Sequence, residues 1–177
     1  YINCKDCKSE DSAVWTIASK VADAADVELE LPKRGITTKA KYDRLFELVG
    51  GNFDCMVIIL DELDRLKGRN RNRQQPHAYS DLLYNLTRAT DIADLDHQIT
   101  TAVLTNDGDS LIDGIDTRAK SSFTPRRVLF DDYDATQLRS ILEKREDAFR
   151  DGAVSDDVIP LTAAHAAQGE GDARKAI

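Results

Sequence analysis

The sequence predicts an α/β fold: a parallel sheet sandwiched by helices, followed by a small all-helical domain. Three observations predict it. Met56-Val57-Ile58-Ile59-Leu60 is continuously apolar and β-branched, the signature of a strand buried on both faces. Strand-like runs alternate with helical segments up to Phe130, the order that crossover connections produce. After Asp131-Asp132-Tyr133 every patterned segment is helical. The expected division is a base domain over 1–131 and a helical domain over 132–177.

Tyr1-Ile2-Asn3-Cys4 reads as the end of a strand. Val14, Ile17, Ala18, Val21 and Ala25 recur at helical spacing, predicting a helix from Asp11 to Ala25. Pro32 and Gly35 mark a turn. Thr37 or Thr38 can cap a second helix carrying Tyr42, Leu45, Phe46 and Val49, with Gly50-Gly51 ending it. Cys55 precedes the 56–60 strand and is expected to be a small core residue. Lys67 to Pro76 is polar and basic, a loop. Ser80 can cap a helix with Leu82, Leu83, Leu86 and Ala89 on one side. Ile99 to Leu104 is a further strand, Leu111 to Phe123 contains short helical turns, and Val128-Leu129-Phe130 is a third short apolar strand. Asp134-Ala-Thr-Gln137 is a capping box opening a helix with Leu138, Ile141, Leu142 and Phe149. Val158 to Ala167 forms the next helix, and Gly171-Asp172 opens another that the sequence end interrupts.

Hydrophobic residues make up 41% of the chain, enough for a packed core. No apolar run approaches the roughly 20 residues of a membrane helix, so a cytoplasmic location is expected. The net charge is −8, and 24 of the 32 acidic residues are Asp. Acidic surfaces of this kind remain soluble where salt screens charge, which points to a salt-loving source. The same charge repels nucleic acid at low salt, so DNA contact is expected to come from local basic patches or from segments outside these residues. Lys33, Arg34, Lys39 and Lys41 form one such patch; a solvated turn and helix start describes those residues equally well. Lys67, Arg69, Arg71 and Arg73 form a second run, read as a solvated loop. Cys4 and Cys7 have no second ligand pair at zinc spacing and read as unpaired thiols. His77, His97 and His165 are scattered, without metal-ligand spacing.

Four places carry chemistry. The 57–60 strand ends in Asp61-Glu62, and ligands of such sheets bind beyond the carboxyl ends of strands. In phosphoryl transfer the first acid helps hold magnesium and the second polarises water; a solvated Asp-Glu turn fits the same pattern. Asn106 follows the next strand, where a neutral amide can meet a γ-phosphate or the attacking water; Asn-Asp-Gly is also ordinary turn chemistry. Arg118, in Asp116-Thr-Arg-Ala-Lys-Ser-Ser-Phe123, can reach a neighbour's nucleotide or pair with Asp116 on the surface. Arg174, in Gly171-Asp-Ala-Arg174, can couple nucleotide state to a helical lid or remain solvated.

The order and separation of these places resemble the AAA+ family of P-loop ATPases: Walker B at Ile58 to Glu62, sensor 1 at Asn106, an arginine finger at Arg118 and sensor 2 at Arg174. Leu60-Asp-Glu-Leu-Asp64, Leu83-Tyr-Asn-Leu86 with Arg88, Gln137-Leu-Arg-Ser-Ile-Leu142 and Gly171-Asp-Ala-Arg-Lys-Ala176 are similar to the archaeal replication initiators of the origin-recognition-complex and cell-division-control loader family. The sequence departs from that family at Thr117, where Pro is usual, at Ala119, where a larger aliphatic is usual, and at Thr105, where Ser is more frequent. The resemblance implies ATP or ADP with magnesium held by Asp61 through water, origin double-stranded DNA, a replicative helicase as partner, and self-association through Arg118. It implies a Walker A loop before Tyr1 and a winged-helix domain after Ile177. The 177 residues alone are therefore expected not to hydrolyse ATP, since nothing in them replaces the P-loop lysine. Two other readings stay open: another AAA+ ATPase, clamp-loader-like or transposon-associated, and a regulatory remnant without nucleotide.

Overall fold

A computed structural model describes residues 1–67, 77–93, 95, 98–145, 150, 155–169 and 171–176. The basic residues Arg69, Arg71 and Arg73, together with His97 and Phe149, lie outside the described residues. The chain divides into two compact units, Tyr1–Pro125 and Arg126–Ile177.

In the first unit, β1 (Ile2–Asn3), β2 (Cys55–Asp61) and β3 (Gln98–Leu104) form a parallel sheet in that order. Ile2 aligns with Leu60, and Asp61 aligns with both Asn3 and Leu104. Helix α1 (Glu10–Ala25) starts at a capping box in which Ser9 and Ser12 satisfy each other's backbone amides. Helix α2 (Thr38–Asn52) starts at Thr37, whose hydroxyl accepts from the Ala40 amide at 3.2 Å. The capping expected from Thr37 is present. Gly50-Gly51 does not stop the helix, which continues to Asn52 because the Phe53 amide still donates to Val49 O at 3.0 Å.

Val14 and Ile17 of α1, Leu45 and Val49 of α2, and Ile58 and Leu60 of β2 share one buried core. Burial alternates along β2: Ile58 and Leu60 are sealed, whereas Val57 is 57% exposed. This corrects the expectation of a strand buried on both faces. An apolar run shows that a strand is buried without showing how many layers cover it. Cys55 shares the parity of Val57 and is exposed, not a core residue.

Helix α3 (Ala78–Thr87) has His77 at its N-cap, three residues before the expected Ser80 cap. Ser80 is instead buried in the first turn, and its hydroxyl accepts from the Asp116 amide at 3.0 Å. Among the described residues the unit also contains the short helices α4 (Ala89–Ala93), α5 (Gly108–Asp113) and α6 (Thr117–Ser122). Gly114, after α5, admits the Tyr79 side chain so closely that a Cβ there would lie 1.9 Å from its hydroxyl.

In the second unit, α7 (Ala135–Glu143), α8 (Val158–Gln168) and α9 (Ala173–Ala176) pack around Leu138, Ala163 and Ala176. The capping box at Asp134 and Gln137 forms as expected. Gly171 has φ 58° and lies so close to Asp132 and Tyr133 that a Cβ would sit 2.8 Å from the Tyr133 carbonyl, so no other residue fits the turn before α9. Val128-Leu129-Phe130 is not a strand. Its residues are 69%, 85% and 94% exposed, and none of the three described strands pairs with it. Apolar, β-branched composition favours a strand only where a ladder partner exists.

Candidate functional site at the carboxyl edge of the sheet

The parallel register sets the site. Asp61 closes β2 beside Leu104, the last residue of β3, so Asn106 follows two residues beyond the same edge. Asp61, half-buried, accepts the Glu62 amide on Oδ1 at 2.9 Å, and its Oδ2 accepts the Tyr1 hydroxyl. Glu62 adopts left-handed backbone angles, φ 51° and ψ 41°, which a residue with a Cβ reaches only at a cost. That turn lifts the chain out of the strand and into a 3₁₀ turn over Leu63–Arg65, anchored by Leu63 and Leu66, both fully buried.

Two further residues belong to this edge, and the sequence reading assigned them no role. The Thr105 hydroxyl donates to Asp64 Oδ1 at 2.8 Å and accepts from the Asp107 amide at 3.1 Å. Asn106 is exposed between two such pinned neighbours. Asp107 then caps α5, accepting the Ser110 amide at 3.1 Å. Hydrogen bonds from Ser110 hold its carboxyl below the usual carboxylate range. Burial pushes the Tyr79 phenol up to about 12, with Asp64 and Asp107 adding to the rise. A hydroxyl one residue past the end of β3 and an acid three residues past the end of β2 were the signal for this pair. It was masked because Asp64 also reads as a solvated turn residue.

Magnesium suits this edge only as a shared ion. Among the described residues no group of three or more His, Cys, Asp or Glu could hold a metal. A single half-buried carboxylate with water and substrate phosphates is how magnesium is usually held.

Arg118 lies on α6, its side chain 62% exposed, with Nη2 3.1 Å from Asp81 and 3.0 Å from Asp116. The surface pairing with Asp116 weighed from the sequence is present. Arg174 lies in the second unit, in α9, and its amide donates to Asp172 Oδ1 at 2.8 Å.

The four basic residues considered for DNA differ in availability. Lys33 Nζ stands 4.8 Å from the centroid of Trp15, whose indole N–H donates to Leu31 O at 3.0 Å. Arg34 is exposed. Lys39 is exposed and pairs with Asp43 at 2.8 Å. Lys41 is buried: its ammonium bonds Asp11 at 2.7 Å and Lys33 O at 2.9 Å. Lys41 therefore cannot face a DNA phosphate, and its place in the patch is corrected. Cys4 and Cys7 are free and buried, and burial pushes the Cys4 thiol up to about 12, far from a reactive thiolate.

A parallel sheet whose central strand ends in two acids, followed by a helical unit, defines an AAA+ core. A profile of the Cdc6 AAA+ ATPase-type lid domain matches residues 139–177. The chain is 49% identical over 176 residues to ORC1-type DNA replication protein 5 of Halobacterium salinarum, covering 99% of this chain and 40% of that relative. It superposes on the Aeropyrum pernix ORC1 protein, solved in complex with DNA, with TM-score 0.72 and 32% identity over 99% of this chain and 41% of that one. The A. pernix ORC2 protein, solved as ADPNP-ADP complexes, shares the fold with TM-score 0.65 and 19% identity, over 99% of this chain and 44% of that one. Along nearly its whole length the chain is similar to archaeal ORC1-type DNA replication proteins, and its C-terminal segment matches the Cdc6 AAA+ lid. It spans 40% of the length of the H. salinarum relative.

Proposed function

We propose that these residues form the nucleotide-responsive part of a protein that binds and hydrolyses ATP, recognises origin double-stranded DNA and helps load the replicative helicase. The observation that carries the reading is Glu62. A non-glycine residue at φ 51°, directly after the strand-end Asp61 and beside the strand that leads to Asn106, is backbone strain where a triphosphate would be handled.

Asp61 would hold magnesium through water, and the bound ion would neutralise charge on the β- and γ-phosphates. Glu62 polarises the attacking water, and Asn106 donates its amide to the γ-phosphate without adding charge. Arg118 completes the site of a second copy. Arg174 is assigned to nucleotide sensing by the helical unit. Lys33, Arg34 and Lys39 contact DNA phosphates, supported by the DNA complex of the A. pernix relative. With a net charge of −8, such contact needs local basic residues and a screening solvent, in keeping with a halophilic source and relatives from halophiles. No helix among the described residues is long and apolar enough to cross a membrane, and a cytoplasmic, nucleoid-associated location fits the proposal.

The test uses the intact gene product. Glu62→Gln is expected to retain ATP binding and lose turnover, whereas Asp61→Ala weakens magnesium-dependent nucleotide binding. Normal turnover in Glu62→Gln would remove Glu62 from this role and the reading with it.

A further inference from the structure

Arg118 is held on three sides. Its Nη2 donates to Asp81 Oδ1 at 3.1 Å and to Asp116 Oδ2 at 3.0 Å. Its guanidinium carbon stands 5.3 Å from the centroid of the Tyr84 ring. Both carboxylates take the same nitrogen, so neither bond occupies Nε or Nη1. The ring itself is anchored: Arg88 Nη1 donates to the Tyr84 hydroxyl at 3.3 Å. Asp81 and Tyr84 are three residues apart on α3 and so share a face.

Helix α3 is a rigid base for this clamp. Ser80 accepts the Asp116 amide at 3.0 Å, and Thr87 Oγ1 donates to Ser122 Oγ at 3.2 Å, tying α3 to both ends of α6. At its own start, the Tyr79 amide donates to Leu66 O at 3.2 Å, joining α3 to the loop that leaves the Asp61-Glu62 strand end. Exposed ion pairs contribute little to stability. With side-chain exposures of 62% for Arg118 and 38% for Asp81, fold stability does not account for the arrangement.

We infer that Asp81 and Tyr84 are positioning residues for Arg118, holding its guanidinium so that Nε and Nη1 are left for the triphosphate of a second copy of this chain. The inference rests on the proposed action of Arg118 across a subunit boundary. A free arginine loses much rotamer entropy when it docks; one already held by a carboxylate and a ring loses less. Such support from outside the reacting groups is what gives a site its precision.

The test measures ATP turnover per copy of the intact gene product against protein concentration. A finger supplied in trans makes turnover rise with concentration, and Arg118→Ala is expected to abolish that rise. Asp81→Ala is expected to cut the rise about tenfold with KM for ATP and melting temperature unchanged, the scale expected when a reacting group is mispositioned. Asp81→Glu is expected to restore most of it. Tyr84→Phe retains the rise and Tyr84→Leu loses it. A full or enhanced rise in Asp81→Ala, alongside its loss in Arg118→Ala, overturns the clamp and leaves the role of Arg118 standing. An unchanged rise in Arg118→Ala overturns both.

Discussion

The Thr105 hydroxyl reaches from the end of β3 to the Asp64 carboxylate, 2.8 Å away, and so ties the strand bearing Asn106 to the loop bearing Glu62. Asn106 is exposed, and hydrogen bonds made by its two neighbours define its position. Thr105→Val keeps the shape and removes both bonds. Turnover in the intact gene product is expected to fall about tenfold with nucleotide affinity unchanged, and Thr105→Ser is expected to stay near wild type. A Thr105→Val protein with full turnover would show that the link does not position the amide.

Glu62 sits in left-handed backbone angles that glycine adopts freely. Left-handed geometry costs a non-glycine residue about 1 kcal/mol, and glycine loses a similar amount through chain entropy. Glu62→Gly is therefore expected to be close to neutral in denaturant unfolding while abolishing turnover. A loss of more than about 2 kcal/mol would mean that the side chain, not the backbone, holds this turn.

The acids and the amide were legible because they follow apolar strands, and strand ends can be read from composition. The Asp134–Gln137 capping box was legible because it is local and needs only its own turn. What sequence could not show was the second partner of a long-range contact. Lys41 looks like its neighbours Lys33 and Lys39, and only the approach of α1 makes it a core cation beside Asp11. Asp81 looks like any first-turn acid until α6 brings Arg118 to it. Val128-Leu129-Phe130 reads as a strand because apolar content does not reveal whether a ladder partner is there.

Lys41 gives a clean separation of fold from DNA contact. Its ammonium joins α2 to Asp11 of α1 and to the carbonyl of Lys33, with only 1% of the side chain exposed. Asp11 remains 43% exposed, so loss of its partner leaves a carboxylate that water can reach. Lys41→Ala is expected to destabilise by about 2 kcal/mol, below the cost of stranding a fully buried charge. DNA affinity, measured on the folded fraction by anisotropy across a salt series, should be unchanged. Arg34→Ala should leave stability unchanged and reduce the salt slope by about 1. A change in slope for Lys41→Ala, with none for Arg34→Ala, reverses the assignment.

The Glu10 carboxylate sets the sign of a pH effect. It accepts from the Tyr42 hydroxyl at 2.9 Å and from the Asn85 side-chain amide at 3.2 Å, joining α1 to α2 and α3. Burial raises its pKa, the two hydrogen bonds oppose that rise, and the negative charge of Asp81 adds to it. The native state therefore holds this proton at pH values where the unfolded chain has released it. Between the two pKa values the native state binds more protons, so the contribution of Glu10 to stability falls as pH rises through the folded value. Its ionised form is thus a net cost at neutral pH, and the favourable contribution is complete only below the unfolded value. Glu10→Gln keeps an acceptor for Tyr42 without the charge. Comparing the two proteins by urea unfolding from pH 4 to pH 7, the variant should gain on the wild type as pH rises. A wild type that gains on Glu10→Gln toward neutral pH would mean that the hydrogen bonds outweigh burial and the carboxylate is stabilised in its charged form.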